Sequence, residues 1–447
     1  MKLKKAAALT LAGLMVTSVM AGCGSNTNKS VEGNTPSSTT DSKQGSEQTD
    51  KDITITMMMS GTKSTEGEDF EIDTLPRLIK EKFPNITLEV VKLPDDQYYT
   101  TLKTKLATGE APDLMLAQPR MAGANAVYTL AESGYLLDIS ELNMLSKLGG
   151  VADMTYEGKT YAVPQGVTFL GTYYNKDVFE EHGLEVPTNW DEFLKVCETL
   201  KQAGITPIVM GDKDSYVMQF GLYQLAASRI YPKNPEFDNQ LGDGTTKFTN
   251  GEWEEVLEMY AKLYQKGYIG ENSLGVGAAQ GIQKFIDGEA AMTFDGTFNA
   301  TALTAKGAAD FERGLFPLPG NKAGEEVYVA GASGAGFGIY ANTKYPEECK
   351  AILEYWYDGQ SDLYKAWEAT GRFISNYEGA SLNNPLFADM MAVYETGRAF
   401  YWCNQGWPAG VETEMQVKLS ELIAGLNTTP ADIAAAMQIK FEELYTK

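Results

Sequence analysis

Histidine is almost absent from this chain of 447 residues, with His182 the only one. A histidine-based zinc site, or a Ser-His or Cys-His catalytic pair, would have to use that single ring. It stands in DVFEEHGL, next to Gly183 at the end of a predicted helix, a place for a surface side chain. Cysteine is scarce as well: Cys23, Cys197, Cys349 and Cys403 lie far apart. There is no CxxC pair and no disulfide framework. Cys197 and Cys349 fall in helix-like segments, where they read as small buried hydrophobes. No metal and no cofactor is expected. Bases are outnumbered, 37 Lys+Arg against 60 Asp+Glu, which disfavours nucleic acid and anionic lipid as partners. Beyond Met20 no apolar run approaches the roughly 20 residues that span a bilayer.

The chain opens with Lys2, Lys4 and Lys5, an apolar run ending at Met20, and then Ala21-Gly22-Cys23. This order reads as a secretory signal peptide over residues 1–22, whose removal leaves Cys23 as the N-terminus for lipidation. Met20 stands three positions before the cysteine, where lipoproteins more often carry Leu. The alternative is an uncleaved anchor helix, but the run, about 15 residues, is short for that. Loss of the leader removes three lysines and no acid, taking the formal charge from −23 to −26. Residues 24–51 contain no Phe, Trp, Tyr, Leu, Ile or Met, too little apolar surface to offset the entropy of ordering. Residues 23–51 are therefore expected to form a lipidated, disordered tether reaching ~30 Å. The expected location is the extracellular face of the cytoplasmic membrane.

The folded part follows. ITITMMMS reads as a strand, a helical stretch carries Phe70, Leu75, Leu78, Ile79 and Phe83, and ITLEVVKL is a second strand. The helix in DDQYYTTLKTKLATGE stops at Gly109 and leads into LMLA, a third, buried strand. This alternation predicts a parallel sheet covered by helices on both faces. The pattern recurs from YNKDVF onward, with two helices in YNKDVFEEHGLEVPTNWDEFLKVCETLKQAG, the strand ITPIVM, further helices, and the strands AAMTF and AGFGIYA. Two α/β units joined by more than one crossing leave a cleft between them.

The segments ATGEAPDLML, LDIS, YEGKTYAVP, YYNKDVFEEHGLEVPTNWDEF, FIDGEAAMTFDGTF, LFPLPG and ANTKYPEECKAILEYW occur in this order. Together they resemble the extracellular solute-binding proteins of carbohydrate ABC importers, the maltose-binding-protein-like family, over nearly all of residues 52–447. The resemblance implies an α/β fold of two doubly wound lobes joined by a hinge, the type II periplasmic binding protein-like fold. It implies an N-terminal lobe of residues 52–166 plus 332–371 and a C-terminal lobe of residues 167–331 plus 372–447. Crossings would fall near residues 165–168, 332–336 and 371–375. The implied activity is capture, not catalysis, by a monomer that closes on a carbohydrate ligand and delivers it to the transmembrane subunits of an ABC permease. Open α/β sheets bind ligands beyond the carboxyl ends of their strands, so two facing sheets share one cleft.

A sugar offers hydroxyls at its rim and polarised CH groups on its faces, so aromatic planes and Asp, Asn, Gln or Arg groups are its partners. RAFYWCNQGWPAG holds Tyr401, Trp402, Asn404, Gln405 and Trp407 without helical period. At least one of Trp402 and Trp407 is expected in the cleft, with packing inside a lobe as the alternative. In TFDGTFNA the family's aromatic platform falls on Phe298, where Trp is more usual. Asp295 and Asn299 there serve either as hydroxyl partners or as helix caps. In DKDSYVMQF, Asp214, Tyr216 and Gln219 match the family's acidic-Pro-Tyr contact, with Ser215 in place of Pro, unless Asp214 merely caps a helix. First-lobe candidates are Ser60, Gly61 and Thr62 after the first strand, Gln118 and Arg120 after the third, and Gln165 and Thr168 at the first crossing. Gly331 precedes the return crossing. Arg372, in ATGRFIS, either grips the sugar through a bidentate bond or pairs with a carboxylate. Rival readings are the same fold binding a peptide or amine, and an extracellular glycosidase, which needs two carboxylates across one bond.

Overall fold

Short apolar runs separated by amphipathic helices build two sheets in the computed structural model. The structure describes residues 51–61, 68–121, 123, 125–304, 309–378, 384–408 and 410–445; Cys23, the signal peptide, residues 23–50 and Thr62 lie outside them. In chain order the strands are β1 (Ile53–Ser60), β2 (Ile86–Leu93), β3 (Leu114–Ala117), β4 (Thr155–Tyr156), β5 (Lys159–Thr160), β6 (Ala162–Pro164), β7 (Val167–Asn175), β8 (Ile208–Val209), β9 (Met292–Gly296), β10 (Arg313–Phe316), β11 (Val329–Ser333), β12 (Gly336–Ile339) and β13 (Ala399–Phe400). β4 and β5 form a small hairpin. One sheet has the order β2-β1-β3-β12-β6, the other β13-β11-β7-β9-β8, with β10 also pairing with β7.

The expected parallel sheet is a mixed one. β1 runs parallel to β2 and β3, but β12 lies antiparallel to β3 and β6. In the second sheet β7 opposes β9, β10 and β11, while β8–β9 and β11–β13 are parallel. The reversed strand in each sheet is the one by which the chain enters that lobe from the other, so the antiparallel pairs follow from the crossings. The parallel remainder needs helical crossovers, which is why each sheet is flanked by helices.

Those helices are amphipathic for readable reasons. Trp190–Gln202 starts at Asn189, whose side chain accepts from the Glu192 N–H at 3.1 Å, an N-cap. It then buries Phe193, Val196, Cys197 and Leu200 along one stripe. Leu75–Lys82 similarly buries Leu75 and Ile79. The first lobe's core gathers Ile55, Met57, Leu114, Phe337 and Trp356. The second lobe has cores on both faces of its sheet, one around Phe294, Trp253 and Trp407, the other around Phe169, Phe285 and Met390. Among the described residues no helix is long and apolar enough to cross a membrane.

Among the described residues, three chain segments join the lobes side by side. The Gln165 N–H donates to the Ala335 carbonyl at 3.1 Å, and the Gly334 N–H to the Gly166 carbonyl at 2.8 Å. Val167 and Ile374 exchange both backbone bonds, at 2.9 and 3.2 Å. Gly166 has φ +139°, and a Cβ there would stand 2.5 Å from the Ile374 carbonyl oxygen, so only glycine lets the third segment lie this close.

Candidate ligand-binding site

Three motifs of the second lobe converge on a single group of rings. β9 ends at Gly296 and passes into the 3₁₀ turn Thr297–Asn299, which carries Phe298. Phe298 lies 5.8 Å from Phe220 on the helix Gln219–Arg229 and 5.8 Å from Trp402. Phe220 meets Tyr216 edge-on at 5.8 Å. Tyr216, Phe298 and Trp402 thus belong to one aromatic wall, and all three are half-buried.

Buried polar atoms without partners collect beside this wall. Within one turn, Trp402 Nε1, Asn404 Oδ1 and Gln405 Oε1 have no hydrogen-bond partner among the described residues, and neither has Thr168 Oγ1 near the hinge. Such an atom costs about 1–3 kcal/mol when left unmatched. A guest rich in hydroxyls, able both to donate and to accept, is the kind of molecule that recovers this cost.

Asp295 sits behind the rings. Its Oδ1 accepts from the Gly296 N–H at 2.6 Å and from Asn299 Nδ2 at 2.9 Å. With Tyr216, Phe220 and Thr293 it lines a water-sized recess of about 10 Å³. Burial pushes its carboxyl up to about 7 from 3.8. Burial likewise raises Asp212 and Asp238 to about 6. Between the unfolded value and these raised ones the folded chain holds protons that the unfolded chain has released, so stability falls as pH rises through this window. The melting temperature is expected to drop between pH 5 and pH 8, and to drop less in Asp295→Asn. Equal declines in both proteins would show that Asp295 is not desolvated.

From the first lobe, Arg120 reaches across. It has φ +51° in the turn after β3, and its Nε donates to Asp153 Oδ1 at 2.7 Å while its guanidinium lies 4.5 Å from the Tyr401 ring centre. Asp153 also accepts from Ser333 Oγ at 2.7 Å, at the end of β11. Tyr401 donates to Asp238 Oδ2 at 2.8 Å, and the Met121 N–H donates to the Gln405 carbonyl at 3.2 Å. Charge, ring and backbone therefore bridge the lobes at one place. Beside that bridge lies a cavity of about 420 Å³ lined from both lobes, by Arg120, Met121 and Tyr128 on one side and Asp238, Tyr401 and Gln405 on the other.

The remaining sequence candidates divide. Ser60 is half-buried at the end of β1, Gly61 continues the pairing through its N–H to Leu93 at 2.8 Å, and Gln118 Nε2 faces the Tyr99 hydroxyl at 3.5 Å. Gln165 and Thr168 are buried at the hinge. Trp407 is a correction: at 1% exposure it packs among Tyr223, Phe248 and Trp253 and donates to Asp238 at 3.1 Å, so it is core. Gln219 is buried too, its oxygen accepting from Gln416 at 3.0 Å. Asp214 caps a helix, though not the adjoining one: its Oδ2 accepts from the Ala278 N–H at 2.7 Å, at the start of Ala278–Ile286. Gly331 lies under Phe169, whose ring atom a Cβ would meet at 2.3 Å, so packing demands the glycine. Arg372 takes the carboxylate role, bonding Glu71 of the first lobe, and Phe373 packs on that lobe's core, whereas the motif resemblance assigns residue 372 onward to the C-terminal lobe.

Asp153, Asp238 and Phe220 were not read from the sequence. Asp238 lies in the first turn of the short helix Phe237–Asp243, in an unremarkable polar stretch, and only the fold brings it beneath Tyr401. Asp153 likewise depends on a long-range contact that no local pattern announces.

Residues 71–358 match the profile of the bacterial extracellular solute-binding proteins. The chain belongs to that family. It is 25% identical over 342 residues to the multiple sugar-binding protein of Streptococcus mutans, covering 75% of this chain and 79% of that protein. It is 27% identical over 330 residues to the maltodextrin-binding protein MdxE of Bacillus subtilis, covering 71% and 74%. Among solved structures, a chitin oligosaccharide binding protein superposes with a TM-score of 0.76 at 23% identity, covering 88% of this chain and 99% of that one. RafE in complex with raffinose gives 0.73 at 23% identity, covering 88% and 100%. The solute-binding fold of two hinged α/β lobes is the one expected from the motifs.

Proposed function

We propose that this solute-binding protein is the sugar-capturing subunit of an ABC importer, tethered by a lipid on Cys23 to the outer face of the cytoplasmic membrane. The observation that carries the sugar reading is the wall of Tyr216, Phe298 and Trp402 beside the unpartnered atoms of Trp402, Asn404 and Gln405. Flat rings take the CH faces of a sugar, and unmatched polar atoms take its hydroxyls. Names among its relatives, multiple sugar-binding and maltodextrin-binding, support the same reading. Ligand that touches both lobes only when they meet shifts the hinge equilibrium by that difference in affinity, and the closed form is what the permease subunits read. The tether of residues 23–51 leaves room for this docking.

Tryptophan fluorescence titration tests the proposal, with maltodextrins, xylo-oligosaccharides, chito-oligosaccharides and raffinose on one side and polyamines and short peptides on the other. Saturable binding of a neutral sugar, recovered unchanged after prolonged incubation, is expected. Binding confined to the amines or peptides, or release of shorter sugars, would contradict it.

A further inference from the structure

Resting on the sugar reading above, we propose that Asp153 is a positioning residue that ties the reach of Arg120 across the cleft to the angle of the hinge. Each oxygen of its carboxylate serves a different part of the molecule. Oδ1 accepts from Arg120 Nε at 2.7 Å, and Oδ2 accepts from the Ser333 hydroxyl at 2.7 Å. Ser333 is the last residue of β11, a strand of the second sheet, and pairs with Val167 where the chain returns to the first lobe. Arg120, at the other end, holds its guanidinium 4.5 Å from the Tyr401 ring centre. A carboxylate is planar, so it meets both donors over a narrow range of orientations, and a turn of the β11 end re-aims the guanidinium.

The surroundings of Asp153 make it sensitive to the hinge. It lies in the 3₁₀ turn Val151–Met154, whose Met154 belongs to the core of the first lobe. The Arg120 N–H also donates to the Asp153 carbonyl at 2.9 Å, so the two residues are joined through main chain and side chain alike. Just before the turn, the Gly149 N–H donates to the Asn376 carbonyl at 2.8 Å and Asn376 Nδ2 donates back to the Gly149 carbonyl at 2.7 Å. Gly150 has φ +77°, and a Cβ there would stand 2.0 Å from Ser333 Oγ, so glycine is needed for the hydroxyl to come this close. Residues 149–153 therefore rest on two of the three crossings, at Ser333 and at Asn376, before they reach Arg120. Ser333 is buried and Asp153 half-buried, so water competes weakly for the bond between them. The chain Ser333–Asp153–Arg120–Tyr401 thus runs from the hinge to the lobe–lobe contact through charge-assisted bonds and one ring face.

A double-mutant cycle read by calorimetric titration is the test. Maltotetraose, xylotetraose, chitotetraose and raffinose are titrated into the wild-type protein, and the tightest binder is used throughout. Ser333→Ala should weaken that sugar about fivefold, the effect of losing one hydrogen bond to a charged group that keeps some water. In an Arg120→Ala background the same change should alter affinity by less than about 1.5-fold, because the relay is already cut. A hydroxyl that merely steadied the hinge would cost the same in both backgrounds. Asp153→Asn, whose side chain has one acceptor for two donors, should weaken binding at least as much as Ser333→Ala and should make that substitution silent as well. Arg120→Lys keeps the charge and loses the Nε donor, and it supplies the second background if Arg120→Ala does not fold. Equal losses for Ser333→Ala with and without Arg120, or no loss in Ser333→Ala alone, overturns the relay while leaving sugar capture intact. If the wild-type protein binds none of the four sugars, the proposed function itself fails, and the relay with it.

Discussion

Trp402→Ala is expected to weaken sugar binding about 30-fold or more while barely moving the melting temperature, and Trp407→Ala is expected to do the reverse. The two indoles are five positions apart, yet the fold gives them opposite tasks. Trp402 is half-buried against Phe298, with its ring N–H unmatched. Losing a stacked aromatic anchor of this kind costs roughly 2 kcal/mol of binding, and 1.4 kcal/mol is tenfold in affinity. Trp407 is enclosed by Trp253 at 5.1 Å and Phe248 at 5.2 Å, and its N–H serves Asp238. Truncation there leaves a cavity and strips a donor from a buried carboxylate, a loss of about 3–5 kcal/mol. The melting temperature of the second lobe should fall by on the order of 10 °C. Calorimetric titration and differential scanning calorimetry on both variants separate the two roles. A Trp402→Ala protein that binds normally would remove the aromatic wall from the site.

The second large effect is expected from Glu71. It is 2% exposed and bonds both Lys92, at 3.1 Å, and Arg372, while Lys92 also bonds Asp69 at 3.0 Å. Lys92 and Asp69 are themselves only 5% and 4% exposed. This network joins the end of β2, the turn at residue 69 and the segment that leads into the third crossing. Removing one member of a buried charge network leaves its partners uncompensated, at about 3–5 kcal/mol. Glu71→Ala should therefore lose about 3 kcal/mol in denaturant unfolding, the lower end because Arg372 is 24% exposed and retains some water. Glu71→Ala combined with Arg372→Ala should lose clearly less than the sum of the two single losses. Strict additivity would mean that the pair does not interact.

The fold was legible because its signals are local. Apolar runs such as LMLA, caps such as Asn189, and the ordered motifs each point to one element, and together to hinged α/β lobes. Strand direction was not, because β7 and β12 owe their reversal to the hinge, a property of the whole chain. The candidate site was legible in part. Phe298, Tyr216 and Trp402 were reached through residue chemistry and motif position, and they do share one wall. Trp407, Gln219 and Gly331 have the same local chemistry as ligand-contacting residues, but rings, amides and glycines also serve packing, and one-dimensional spacing does not tell which face of a loop turns inward. Arg372 illustrates the point: its partner, Glu71, is 301 residues away in sequence.

Closure on a ligand is a difference between two states. Arg120 over Tyr401 and the Met121–Gln405 backbone bond are lobe–lobe contacts that opening must break. Each is modest, of the order of 1 kcal/mol, so without ligand the hinge should favour opening and with ligand the balance should reverse. Small-angle X-ray scattering of the purified protein, with and without a saturating neutral oligosaccharide, measures this directly. A smaller radius of gyration with the sugar bound is the predicted result. An unchanged scattering profile under conditions where calorimetry shows the sugar bound would contradict capture by hinge closure.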